Sequence, residues 1–229
     1  MLKAVRNLNP KYNQYSKICP HIKDIINETL ENPVKIPNYI GTHDDIIKTQ
    51  RSSYNIKKDV CEYNLVDNNG INNYFNNYKK SKLIWENYSF KDKKDIFLKA
   101  ADLIENKYYD KMLAYTIVGQ NKNIYEAEID AVCELVDFLR YNVYYAEEII
   151  KKQPVQTPGI ENISQYNSLN GFVASITPFN FTAIGGNLAS APLIFGNSVL
   201  WKPSDNAMLS NHLFYEIMLE AGLPEGVLN

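Results

Sequence analysis

The sequence predicts an α/β chain: a helical amino-terminal region followed by the first half of a doubly wound parallel sheet, cut short in its third strand. Three observations carry this. Residues 71–151 repeat apolar side chains at helical spacing. Residues 171–222 then run strand, helix, strand, helix, the order of a doubly wound unit. Finally, Val227-Leu228-Asn229 begins another apolar strand and the sequence stops. Two parallel strands cannot cover both faces and both edges of a sheet, so a truncated chain, or one completed by a partner, is expected.

The elements come in this order. Residues 1–23 carry Lys3, Arg6, Lys11, Lys17 and Lys23 and no acid, which reads as a basic, disordered start with a faint likeness to a mitochondrial presequence. Residues 31–70 read as loops and short strands, interrupted by Pro33, Pro37, Gly41 and Gly70. Helices are expected over 71–86, over 92–106 (Ile96, Phe97, Ala100, Leu103 and Ile104 inward) and over 108–118, the last closed by Gly119. Residues 124–151 give the longest amphipathic pattern, with Val132, Leu135, Val136, Leu139 and Val143 as its core stripe. Pro154, Pro158 and Gly159 end it.

Ser164–Leu169 alternates and reads as an extended strand. Gly171–Ile176 and Ser198–Lys202 are short apolar runs suited to buried parallel strands. Ile184–Phe195, rich in small residues, reads as a helix packed closely on the sheet. Asn206–Gly222 reads as an amphipathic helix, with Ser204 and Asp205 as candidate caps and Gly222 as its stop.

Composition excludes several classes. The chain has 229 residues, 45% hydrophobic and 22% charged, with net charge −2, so it carries no electrostatic footprint for nucleic acid or an anionic membrane. No apolar run approaches the roughly 18 residues of a membrane span. Three cysteines make no disulfide framework. The 28 Asn and 17 Tyr crowd the first two-thirds and read as bias at tolerant surface positions, because apolar periodicity survives beneath them.

Two segments carry chemistry. Thr177-Pro178-Phe179-Asn180-Phe181 follows the first strand of the doubly wound unit, and Trp201-Lys202-Pro203-Ser204-Asp205 follows the second. Ligands bind at the carboxyl ends of strands in such sheets. An Asn amide there can donate to a developing oxyanion, or simply close a turn. A Lys beside a helix start can hold ribose hydroxyls or phosphate, or simply be solvated. Glu134 shares a helical face with Ala127, Ala131 and Phe138; a carboxylate in that company is functional or sits at the stripe's edge. No glycine-rich dinucleotide fingerprint or phosphate loop occurs. His21, His43 and His212, with Cys19, Cys61 and Cys133, show no metal-ligand spacing, so no metal is expected.

Together Gly171–Asn187, Gly196–Asp205 and Glu220-Ala-Gly-Leu-Pro224, with Phe97–Asp102, Val118-Gly-Gln120 and Ala127-Glu-Ile-Asp130 upstream, resemble the aldehyde dehydrogenase superfamily, in particular its members acting on L-glutamate γ-semialdehyde. The likeness runs from about residue 36 to 229 and corresponds to the amino-terminal part of a family chain. It implies NAD as cofactor and a small-molecule aldehyde as substrate. It also implies a homo-oligomer in the complete protein, no nucleic-acid or membrane partner, and a mitochondrial matrix or alternatively cytoplasmic location. Asn180 resembles the oxyanion-hole amide. Ile176, Thr177, Pro178 and Phe179 resemble one wall of the nicotinamide site, and Lys202, Pro203, Ser204 and Asp205 the adenosine-ribose contacts. Phe181 resembles an aromatic wall of the substrate pocket and Glu134 an acid lining the active site.

The resemblance divides the chain into a poorly ordered or helical segment (1–35), a mainly helical part of the cofactor domain (36–153), a bridging or oligomerisation strand (154–170) and an incomplete Rossmann-like NAD-binding unit (171–229). Cys19, Cys61 and Cys133 match none of the family's nucleophiles, so the chain alone is expected to be inactive. A partner-binding module, a gene fragment and a dehydrogenase for another aldehyde are the alternative readings.

Overall fold

The computed structural model describes residues 5, 7–40 and 47–229. Lys3, Arg6, Gly41 and His43 lie outside the described residues. Helix α1 (Pro20–Glu31) opens with proline, whose missing N–H costs nothing in a first turn. Three short strands follow, β1 (Val34–Ile36), β2 (Ile47–Arg51) and β3 (Asp59–Asn64). They form a sheet in the order β1-β3-β2, with β1 parallel and β2 antiparallel to β3.

Helices α2 (Asn68–Glu86), α3 (Phe90–Asn106), α4 (Tyr109–Gln120), α5 (Ile124–Glu128) and α6 (Leu135–Lys151) come next. Asp67 caps α2 through the Gly70 N–H. Ser89 and Asp92 close a reciprocal capping box on α3, as Asn123 and Glu126 do on α5. The expected inward stripes of α3 and α6 are buried, Ile96, Phe97, Ala100 and Ile104 in one and Leu135, Val136, Leu139 and Val143 in the other, except that Leu103 is only half-buried.

The second sheet pairs β4 (Val173–Ile176) parallel with β5 (Val199–Lys202), Val173 opposite Val199 and Ile176 opposite Lys202. The expected third segment is in place on the other side of β5. The Val199 N–H donates to Val227 O at 2.8 Å, and the Asn229 N–H donates back to Val199 O at 3.0 Å. Helix α7 (Thr182–Ser190) connects β4 to β5, and α8 (Met208–Ala221) leads to the third segment. One apolar cluster from Ile22 to Leu228 unites both sheets with the helices, and the boundary expected at 35/36 falls inside β1.

Several expectations are corrected. Gly119 does not end α4; it lies within the helix, and Asn121, in the left-handed conformation (φ 55°), caps it. The small residue is needed at 119 because a Cβ there would sit 2.8 Å from Gln50 Nε2. Among the described residues Ser164–Leu169 pairs with no strand, and it is tied down at its end, where the Leu169 N–H donates to Asn197 Oδ1 at 2.8 Å. The helix expected over 184–195 starts earlier, at Thr182, and tightens into a 3₁₀ turn over Ala191–Phe195 where Pro192 removes a donor. Strand β4 is not a buried strand. It is an edge, and Ile176 is 76% exposed.

The largest correction concerns residues 124–151. The helical backbone is unbroken but not uniformly α: Ile129–Glu134 form a π turn between α5 and α6. One extra residue in a turn shifts the helical phase. Glu134 and Phe138 therefore face an open groove, whereas Ala127 and Ala131 are fully buried, and the four do not share one surface.

Helix α7 packs closely because it is small. At Gly186 a Cβ would meet Leu135 Cδ1 at 2.7 Å and Phe214 ring carbons at 3.3 Å. Gly186→Ala should therefore lower the unfolding free energy by about 1–3 kcal/mol, through overpacking between α6, α7 and α8. Urea denaturation checks this; an unchanged midpoint would mean the helices do not meet as described.

Candidate active site

The site is built around the start of α7. Phe181, its N-cap residue, offers no capping side chain, so the first N–H groups need an acceptor from elsewhere. Asp130, 1% exposed and 52 residues upstream in the π turn, supplies it. Its Oδ2 accepts from the Thr182 N–H at 3.0 Å and its Oδ1 from the Ala183 N–H at 2.9 Å. Lys122 pairs with the same carboxylate, and its Nζ lies 4.2 Å from the centre of the Phe181 ring. A carboxylate at a helix N-terminus also opposes the helix dipole favourably. Below, Thr182 Oγ1 meets Thr116 Oγ1 at 3.2 Å, Gln120 Nε2 at 2.8 Å and Ser210 Oγ at 3.0 Å, tying α4, α7 and α8 together. The turn holding Asn180 and Phe181 is thus fixed from behind.

Asn180 is exposed in that turn, immediately after the carboxyl end of β4. No hydrogen bond to its side-chain amide is found among the described residues, and the residue is exposed to solvent. Phe181 lines an open groove of about 860 Å³ together with Ile129, Cys133, Glu134, Phe138 and Asn142. Glu134 is half-buried there. Burial, and then the negative charge of Asp130, hold its carboxyl above the usual carboxylate range, with Lys122 opposing. The structure therefore brings Glu134 and Phe181 to one groove, with Asn180 adjoining.

The remaining predicted residues sit along the carboxyl edge of the β4/β5 sheet. Ile176 and Phe179 present apolar side chains, 76% and 59% exposed. Pro178 lies between them, half-buried. Thr177 is buried, and its hydroxyl accepts from Trp201 Nε1 at 3.0 Å, so its side chain works inside the protein. Lys202 is exposed, with Nζ 3.8 Å from Asp205 Oδ1. Asp205 Oδ2 is also 3.4 Å from Lys48 Nζ. Ser204 caps the short 3₁₀ turn leading into α8, and Pro203 lines a separate cavity of about 140 Å³ with Trp201 and His212.

Sequence reasoning missed Asp130. Its signal was its place at the end of Ala127-Glu-Ile-Asp130, one turn before Glu134, with no mark of its distant partner. Cys61 and Cys133 are buried, and burial pushes both thiols up to about 12, which leaves them protonated at neutral pH. Cys19 precedes α1 as its N-cap residue. Among the described residues, no helix is long and apolar enough to cross a membrane.

The chain belongs to the aldehyde dehydrogenase family, whose pattern matches residues 48–229. It is 46% identical over 233 residues to a probable delta-1-pyrroline-5-carboxylate dehydrogenase of Schizosaccharomyces pombe, covering 99% of this chain and 42% of that one. It is 44% identical over 182 residues to the mitochondrial delta-1-pyrroline-5-carboxylate dehydrogenase of Homo sapiens, covering 80% of this chain and 32% of that one. Among solved structures, the Mycobacterium tuberculosis delta-pyrroline-5-carboxylate dehydrogenase bound with NAD superposes with a TM-score of 0.88 at 33% identity, covering 99% of this chain and 44% of that one. The chain thus spans less than half the length of these relatives.

Proposed function

We propose that this chain supplies the oxyanion amide, the groove acid and part of the cofactor wall of an NAD-dependent dehydrogenase. The reaction is the oxidation of L-glutamate γ-semialdehyde, in equilibrium with Δ1-pyrroline-5-carboxylate, to L-glutamate in proline catabolism. The observation that carries this is Asn180, exposed and unpaired at the end of β4 on a turn clamped by Asp130. The relatives' names support the substrate, and an NAD-bound neighbour supports the cofactor. Relatives named as mitochondrial support a matrix location, with the cytoplasm as the alternative.

In this reading a cysteine thiolate attacks the aldehyde carbon, and the charge that gathers on the carbonyl oxygen is met by the Asn180 amide. The turn that carries the amide is held from behind by Asp130, so its backbone needs no reorganisation as charge develops. Phe181 bounds the groove in which the aldehyde chain lies. Glu134, whose carboxyl burial and the charge of Asp130 hold above the usual carboxylate range, lies in the same groove, where it would exchange a proton with the reacting centre. Bound NAD would accept the hydride. Ile176 and Phe179 would pack against it and Lys202 with Ser204 would hold its ribose, and the exposed apolar edge ending in a cation fits such a group. Cys19, Cys61 and Cys133 match none of the family's nucleophiles, and Cys61 and Cys133 are buried. The 229-residue chain alone is therefore expected to form no NADH. In the assembled protein, copies of the chain are expected to associate through the exposed 154–170 segment.

Calorimetric titration of the chain with NAD tests the cofactor part. Saturable binding is expected, weakened roughly tenfold by Lys202→Ala, the loss of one charge-assisted hydrogen bond. Identical binding by both proteins would remove Lys202 from the site.

A further inference from the structure

A short segment without regular secondary structure, Asn7–Tyr12, lies across the π turn that carries Glu134. It grips a carboxylate on each side of that turn. On the near side is Glu128, fully buried at the end of α5, whose oxygens accept the Lys11 N–H at 2.5 Å and the Tyr12 N–H at 2.8 Å. The Tyr109 hydroxyl donates to the same carboxylate. On the far side is Asp137, in the first turn of α6, which accepts the Leu8 N–H at 2.9 Å and Asn7 Nδ2 at 2.7 Å. Tyr141 adds a hydroxyl to Asn7 Oδ1 at 2.8 Å. Leu8 and Pro10 line the same groove as Glu134 and Phe181.

We propose that residues 7–12 splint the π turn, and that Glu128 and Asp137 are positioning residues that hold Glu134 in the groove through this splint. The physical reason is the weak self-sufficiency of a π turn. It holds one residue more than an α turn and is rare as a free-standing conformation. Relaxation to α geometry would rotate α6 relative to α5 by about 100°, the angle per residue of an α-helix. Glu134 would then leave the groove. Pinning Glu128 and Asp137 to one segment fixes the distance between them and blocks that rotation. The groups facing Glu134 are Asp130 and Asp137, which disfavour its charge, and Lys122, which favours it. Rotation would take the carboxyl from burial to solvent.

This inference rests on the proposed function only in giving Glu134 work to do; its test needs neither NAD nor aldehyde. The probes are hydrogen exchange of the amides of residues 130–135 and titration of the Glu134 carboxyl by carbon NMR in the full chain. In Glu128→Gln, exchange at 130–135 should quicken at least tenfold, and the Glu134 midpoint should fall toward the ordinary carboxylate range. Amides of α4 and α8 should keep their protection. Should the buried substitution unfold the chain, Asp137→Asn, at a half-buried position, gives the same comparison with a smaller change. Freed exchange at 7–12 with unaltered exchange at 130–135 and an unaltered Glu134 titration would overturn the proposal. A shifted Glu134 in a chain that takes no part in the oxidation would leave the splint intact and overturn the function instead.

Discussion

Asp130→Ala should lower the unfolding free energy by about 3–5 kcal/mol, the cost of leaving a buried partner charge uncompensated. The carboxylate is 1% exposed and has three partners: the N–H groups of Thr182 and Ala183 and the ammonium of Lys122. Removing it orphans two helix donors and leaves Lys122, its side chain 15% exposed, without its ion pair. Asp130→Asn keeps the shape and one acceptor and should cost about 1–3 kcal/mol, the range for a buried group left unsatisfied. Equilibrium urea unfolding measures both. A loss below about 1 kcal/mol for the alanine variant would mean that Asp130 does not clamp α7.

Asn180→Ala should do the opposite: leave stability unchanged and remove activity. The side chain is exposed and holds nothing in place, so unfolding midpoints should agree within error. In an active assembly containing this chain, loss of one oxyanion donor should lower kcat by about 10²–10³-fold. KM should change little, because the amide works on charge that exists only after attack. A parallel fall in stability would show that Asn180 is a turn-closing residue, the plain alternative for an Asn at this place.

The contrast between these two residues shows what was legible in the sequence. Asn180 stands in a local pattern, a strand followed by Thr177-Pro178-Phe179, and pattern alone placed it at the end of β4. The stripes of α3 and α6 and the terminal Val227–Asn229 pairing were legible for the same reason, since each is written in consecutive residues. Asp130 and Glu128 were not, because the backbone N–H groups they accept from, those of Thr182 and Ala183 and of Lys11 and Tyr12, lie 52 and 53 and 117 and 116 residues away. The π turn was hidden as well: a stripe of Val132, Leu135, Val136 and Leu139 is buried whether or not one extra residue precedes it. Gly119 misled because a glycine needed for close approach to Gln50 looks like a glycine needed for a left-handed cap. Ser164–Leu169 alternates like a strand, yet a strand is defined by a partner, and none pairs with it here.

The decisive experiment is an NADH assay with L-glutamate γ-semialdehyde and NAD. The chain is assayed alone, then combined with the remaining carboxyl-terminal polypeptide of the Schizosaccharomyces pombe relative. The expected result is no NADH above buffer from the chain alone, NADH from the combination, and loss of that signal with Asn180→Ala. NADH from the chain alone, or an Asn180→Ala combination as active as the parent, would refute the division of labour proposed for this chain.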